Sequence, residues 1–181
     1  MHNPIYPLAA PVRVTQILLM DFVVESQIRY LPVINIPENC LKIEIYGVFQ
    51  STYVGAAFDP VFVDFNLDAV AANYFSAYHF AGTSHGMSSG NNNLQGSFAG
   101  NTNAAFSDYY FWCVRPRQIG NGHLHTLHST GSAWRSDGYW NVQTIIRWSI
   151  ANQPLDNLRF SLQNGNFTKG CSIVAMATVF E

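Results

Sequence analysis

The 181-residue sequence predicts an all-β fold, an antiparallel β-sandwich that is jelly-roll-like and carries an extended N-terminal arm. Three observations predict it. Apolar and polar residues alternate with period two over strand-length runs, as on a half-buried strand. Those runs are rich in aromatic and β-branched residues, which fit a pleated surface. Gly, Asn and Pro clusters separate them at short intervals, as the turns of a sandwich or jelly roll require.

Residues 1–14 carry Pro4, Pro7 and Pro11 among small and apolar side chains. Proline lacks the N–H that a ladder needs and stiffens the chain toward polyproline geometry. This stretch is therefore read as an arm, and residues 15–181 as the sandwich domain. Val12–Val24 is β-branched and aliphatic. Ile28–Ile36 follows, confined by Pro32 and Pro37 to an edge or an irregular strand. In Leu41–Phe49, Leu41, Ile43, Ile45 and Phe49 alternate with Lys42, Glu44 and Tyr46. Phe58–Phe65 is apolar on both faces apart from Asp59 and Asp64. Tyr74–Ala81 and Phe106–Val114 are aromatic-rich, and Leu124–His128 is short. Trp140–Ile150 alternates most cleanly. Trp140, Val142, Thr144, Ile146, Trp148 and Ile150 face one way and Asn141, Gln143, Arg147 and Ser149 the other, where Ile145 is the apolar exception. Leu158, Phe160 and Leu162 make another strand. Cys171–Phe180 is apolar on both faces, so cover on both is expected. The alanines of Leu67–Tyr78 make it the one stretch that argues for a helix. Gly82–Asn103, with five glycines and five asparagines, reads as a long outer loop of the kind that often binds.

Composition excludes several classes. At 48% hydrophobic and 11% charged the chain is folded, not disordered. The charged fraction is far below the ~25% of an average soluble domain, so much of the surface is polar-neutral or covered by partners. Nine basic residues are scattered singly, which argues against nucleic acid. Ile17–Val24, interrupted by Asp21, is far shorter than the ~20 residues of a membrane span. The N-terminus has no positive region before an apolar core, so no secretory signal is expected. Cys40, Cys113 and Cys171 lie in or beside apolar runs without zinc spacing, and three buried thiols are expected.

The candidate chemistry is sparse. His123, His125 and His128 form H-x-H-x-x-H, in which His123 and His125 share a strand face and no third ligand joins them. Surface contact is the expected role for His123 and His125. No nucleophile elbow and no phosphate loop is present. Asp64 and Asp68 are the one close acidic pair, and they flank a turn where such side chains bond their own backbone. Trp140 and Trp148 belong to the inward face of a strand. Trp134 sits among Gly, Ser and Asp and is the tryptophan expected to make a surface contact. No catalytic residue, cofactor or metal follows from these patterns.

Five segments resemble a domain shared by many bacteriophage virion proteins. They are Leu41–Gly47, Phe65-Asn66-Leu67-Asp68, Asn73-Tyr74, Gly138-Tyr139-Trp140 and Asn164–Gly170, the last reading Asn-Gly-Asn-Phe-Thr-Lys-Gly. The resemblance covers about residues 28–181. It departs from the family pattern at Asn66-Leu67-Asp68, where Asn-Gly-Asp is common, and at Met176-Ala177-Thr178, where an aromatic and a glycine are common. It implies a trimeric head-decoration or tail-fibre module without catalysis, located in the virion.

The short arm favours a decoration (cement) protein bound to the major capsid protein. The alternative is a receptor-binding tip that recognises a host surface glycan. The low charge and the two-sided apolar strands fit a homotrimer. The arm side chains Ile5, Tyr6, Leu8 and Val12 are expected to dock on a neighbouring subunit, needed for attachment and dispensable for folding.

Overall fold

The computed structural model describes residues 13–55, 58–82, 85–91, 94–120, 122, 124–135 and 138–181. Twelve strands form among them. They are β1 (Val14–Val23), β2 (Ile34–Asn35), β3 (Cys40–Phe49), β4 (Phe58–Phe65), β5 (Tyr74–Ala81), β6 (His85–Asn91), β7 (Gln95–Gly100), β8 (Ser107–Val114), β9 (Thr126–Arg135), β10 (Gly138–Trp148), β11 (Asn157–Leu162) and β12 (Ser172–Phe180). One antiparallel sheet has eight strands in the order β1-β12-β3-β8-β9-β10-β5-β6. The other has four, in the order β2-β11-β4-β7.

The chain order reveals a jelly roll. With the β5-β6 and β9-β10 hairpins set aside, eight strands remain, and they pair first with last. β1 pairs β12, β2 pairs β11, β3 pairs β8 and β4 pairs β7. That is one long antiparallel hairpin rolled into two four-stranded sheets, the jelly-roll topology. The two hairpins set aside pair with each other through β10 and β5, and with the core through β8 and β9. They double the width of one sheet and leave the other unchanged.

The space between the sheets is filled by the alternation read from the sequence. Trp140, Val142, Thr144, Ile146 and Trp148 are all buried, while Asn141, Gln143, Ile145 and Arg147 are exposed. Phe49 lies 6.3 Å from Phe111, 6.1 Å from Phe160 and 5.5 Å from Phe167, ring centre to ring centre. Such pairs each add about 0.5–1.5 kcal/mol beyond their area burial.

The segments that carry the resemblance lock turns against this core. Asp59 of β4 is fully buried. It accepts hydrogen bonds from Ser51 Oγ (2.7 Å), from the N–H and side-chain amide of Asn164 (2.9 and 3.1 Å) and from the Gly165 N–H (2.7 Å). Gly165 is required for closeness, since a Cβ there would lie 2.3 Å from Ser51 Oγ. Gly170 is required for its φ of 92°. The segment is not the hairpin turn its glycines suggest but the crossover from β11 of one sheet to β12 of the other, and Phe167, fully buried, anchors it by bridging to Ile28 and Ser51. At the other end of β4, Asp68 accepts from Asn73 Nδ2 (2.7 Å) and Trp148 Nε1 (2.8 Å). The Tyr74 hydroxyl accepts the Phe65 N–H at 2.8 Å and donates to the Asp68 carbonyl.

Two expectations are corrected, at Leu67–Tyr78 and at Gly82–Asn103. Leu67–Tyr78 holds only a short 3₁₀ turn, Ala71–Asn73, because Tyr74 onward joins the sheet as β5. The first strand begins at Val14, and the Arg13 carbonyl accepts the Glu181 N–H. Gly82–Asn103 is mostly strand, not loop. Gly96 of β7 serves packing: a Cβ there would lie 2.7 Å from Val63 Cγ2 and 2.9 Å from Ile146 Cδ1, so a larger residue would force those side chains to move, whereas a Cβ on Gly90 would meet open space. In β12, among the described residues, the inner face is covered within the chain and the outer face only in part. Ile173, Ala175, Ala177 and Val179 are buried, whereas Val174, Met176 and Thr178 are half-buried on the outer side.

Candidate functional site

The outer face of the eight-stranded sheet holds the candidate site, because strand register lines its side chains into rows. One row reads Leu18, Met176, Glu44, Trp112, His128, Ile145, Ala77 and Ser89, from β1 to β6. The next reads Asp21, Val174, Tyr46, Tyr110, Thr130, Gln143, His79 and Met87. Nine of these sixteen side chains are aromatic or aliphatic, and among the described residues no further element lies over them.

Four rings stand against one another across β3, β8 and β9. Tyr46 lies 4.9 Å from Tyr110, Tyr110 lies 5.3 Å from Trp112, and Trp112 lies 5.3 Å from His128. The last two pairs are nearly parallel, at 19° and 15°. Beyond this ladder a groove of about 560 Å³ runs over β8, β9, β10, β5 and β6. Trp112, His128, Ile145, His79, Gln143 and Met87 line it, and among the described residues no Asp, Glu, Lys or Arg does. The nearest carboxylate on this face, Glu44, pairs with Lys42 at 2.9 Å and accepts a short hydrogen bond from the Tyr110 hydroxyl. Lys42, then Tyr110, hold its carboxyl below the usual range, so Glu44 stays ionised but neutralised. The site is thus apolar and aromatic with a few neutral polar groups, suited to uncharged partners.

The residues expected from sequence are distributed differently. Ile5, Tyr6, Leu8, Val12 and His123 lie outside the described residues. Trp134 is part of β9, paired with Tyr139, and not of a loop; its side chain lies outside the description. His125, expected at the surface, is buried, and its Nε2 donates to the Gln153 carbonyl at 2.6 Å. The reason is local: the ring lies 6.2 Å from Trp148 on the inner face, while His128 of the same motif faces outward. His125 and His128 therefore do not converge.

Asp64 and Asp68 are each engaged in structure. Arg159 donates to Asp64 Oδ2 from Nε (3.0 Å) and Nη2 (2.6 Å). Burial pushes the Asp64 carboxyl up, and Arg159 offsets this only in part. Burial also acts to raise Asp68, but donation from Trp148, Asn73 and the Val70 N–H outweighs it and holds that carboxyl below its ordinary value. All three thiols are buried and unpaired with one another. Burial pushes Cys40 up to about 11 and Cys113 up to about 12, and it raises Cys171 too. They are protonated and inert at neutral pH. Among the described residues no cluster of three or more His, Cys, Asp or Glu could hold a metal ion, and no helix is long and apolar enough to cross a membrane.

The aromatic ladder and groove escaped the sequence reading because β8 is aromatic on both faces. Tyr109 and Phe111 face the core, and Tyr110 and Trp112 face outward. Only Ile145, the apolar exception on a polar strand face, signalled the groove.

Fold and site together define a jelly-roll β-sandwich with one widened sheet and an uncovered aromatic outer face. Compared with known protein families, with curated proteins and with solved structures, the chain matches none.

Proposed function

We propose that this chain is a structural protein of a bacteriophage virion, a homotrimeric head-decoration (cement) protein that binds the major capsid protein and stabilises the head. The observation that carries this reading is the outer face of the eight-stranded sheet. Tyr46, Ile145, Leu18 and Met87 are exposed there, on a chain with little charge to keep such a surface apart from others. Contiguous exposed apolar surface of this kind is characteristic of association sites. The jelly-roll core, and the resemblance of segments such as Asn164–Gly170 to virion proteins, also support it.

A receptor-binding tip is the second reading, favoured by Gln143, Thr130 and His79 beside Trp112 in the groove. Sugar recognition commonly uses an open aromatic face, whereas Trp112 is stacked with Tyr110 and His128. That arrangement fits a protein partner better.

Light scattering should give about three times the 20.2 kDa chain mass. Antibody labelling of particles should mark heads. A stable monomer would overturn the trimer, and label confined to fibre tips would establish the second reading.

A further inference from the structure

We propose that the N-terminal arm of one copy, Met1–Val12, seats its Pro4-Ile5-Tyr6-Pro7 run in the outer groove of a neighbouring copy, between Trp112, His128, Ile145 and Met87. This deepens the assembly reading above and rests on it.

The chemistry of the two parts matches. The arm sequence holds no Asp, Glu, Lys or Arg, and the groove lining holds none. Pro4 and Pro7 are three residues apart, which is one turn of a polyproline II helix, so they fall on the same edge about 9 Å apart. Aromatic-lined grooves are the usual receptors for such segments, because a preformed polyproline helix loses little entropy on docking. Ile5 and Tyr6 supply the apolar contacts that Ile145 and Met87 leave uncovered at 43% and 83% exposure.

The reach also matches. The described chain starts at Arg13, at the β1 edge of the eight-stranded sheet. Twelve residues in polyproline geometry span about 37 Å. Eight strands at about 4.8 Å spacing span about 34 Å, so an arm leaving one edge strand can cross a neighbour's sheet face. Docking on another copy, not its own, follows from the arm's sequence. It contains no glycine, and Pro11 biases Ala10 toward extended geometry. A tight reversal back over its own sheet is disfavoured, and continuation past the end of β1 is favoured.

The test uses the full chain with Tyr6 replaced by photoreactive p-benzoylphenylalanine, mixed as light and heavy isotope forms and irradiated. Cross-links from position 6 of light chains to heavy peptides that contain Met87, Trp112 or Ile145 are expected. In full chains bearing Ile145→Arg, or separately Met87→Glu, these should fall at least about tenfold, as for loss of an interface anchor. Both sites are exposed, so melting should stay near that of the parent. An oligomer whose cross-links land elsewhere, or only within one chain, overturns the arm exchange and leaves the assembly standing. A chain that is monomeric at every concentration overturns the assembly reading and the arm exchange with it.

Discussion

Both faces of the eight-stranded sheet carry large aromatic and aliphatic side chains, and these meet different fates. On β8, Tyr109, Phe111 and Cys113 point inward and are buried, and Tyr110 and Trp112 point outward and are only half-buried. On β10, Trp140, Ile146 and Trp148 are buried while Ile145 is exposed. The inner face of β10 is almost wholly apolar, whereas its outer face sets Ile145 among Asn141, Gln143 and Arg147, so the faces differ both in polarity and in cover. The four-stranded sheet covers the inner face, and among the described residues no element covers the outer one. Exposed apolar side chains grouped on such a face are characteristic of association sites.

The comparison breaks most visibly on the inner face. Trp140→Ala and Phe167→Ala should each destabilise the chain by about 3–5 kcal/mol, as truncation of large buried aromatics does. Urea denaturation checks this, with a lower midpoint at unchanged slope. A midpoint near that of the parent would mean the two faces are equally dispensable.

Next in size is the polar lock beneath the same face. Asp59→Ala removes the acceptor of the Asn164 and Gly165 N–H groups in a buried setting. Leaving buried donors unmet costs about 1–3 kcal/mol, so a loss of roughly 2–3 kcal/mol is expected. Asp59→Asn should recover part of it, because one acceptor oxygen survives. If Ala and Asn behave alike, the loss comes from packing and not from the hydrogen bonds.

On the outer face the same kind of truncation should matter far less to folding. Trp112→Ala forfeits stacking with Tyr110 and His128, worth about 1 kcal/mol, and opens no internal cavity. Its main effect should appear in light scattering, as dissociation at higher protein concentration than the parent. A loss as large as that of Trp140→Ala would erase the distinction between the faces.

Acid separates a third pair of residues. The Asp68 carboxyl is held below 3.8 in the folded chain, so its stabilisation is complete above that value and fades as pH falls through the lower folded value. Asp64 is shifted up, so its own contribution has the opposite sign and strengthens on protonation. Asp68→Asn should therefore flatten the loss of melting temperature below about pH 4 relative to the parent. An unchanged acid limb would assign that limb to other carboxylates.

These differences also show what the sequence could reveal. Strand alternation is a local property, so β3, β10 and β11 were legible, as was the buried role of Phe167 and of all three thiols. Glycine in β7 was not. Gly96 looks like a loop residue in sequence, and its packing role depends on Val63 and Ile146, which are distant in the chain. The groove was hidden for the same reason. Trp112, His128, Ile145 and His79 come from four strands, and only the register of β8, β9, β10 and β5 assembles them. His125 and His128 look alike in sequence, and strand geometry sends one inward and the other outward.

The smallest expected effect lies at Leu67. Its φ of 59° is left-handed, a conformation that costs a residue with a Cβ about 1–2 kcal/mol. The preceding residue, Asn66, shares the conformation at φ 53°, and it is suited to it because its side-chain oxygen accepts the N–H groups of Asp156 (2.7 Å) and Asn157 (3.1 Å). Leu67 has no such compensation, and its side chain is largely exposed. Glycine at this position in the resembled virion pattern removes the clash. Leu67→Gly relieves the left-handed cost but adds freedom to the unfolded chain, worth up to about 1 kcal/mol against it. The two nearly cancel, and a net gain of about 0.5 kcal/mol is expected, visible as a slightly raised denaturation midpoint. A clear loss would show that Leu67 makes a contact the single chain does not display, which would place the Asp68 turn, and not only the sheet face, against a partner.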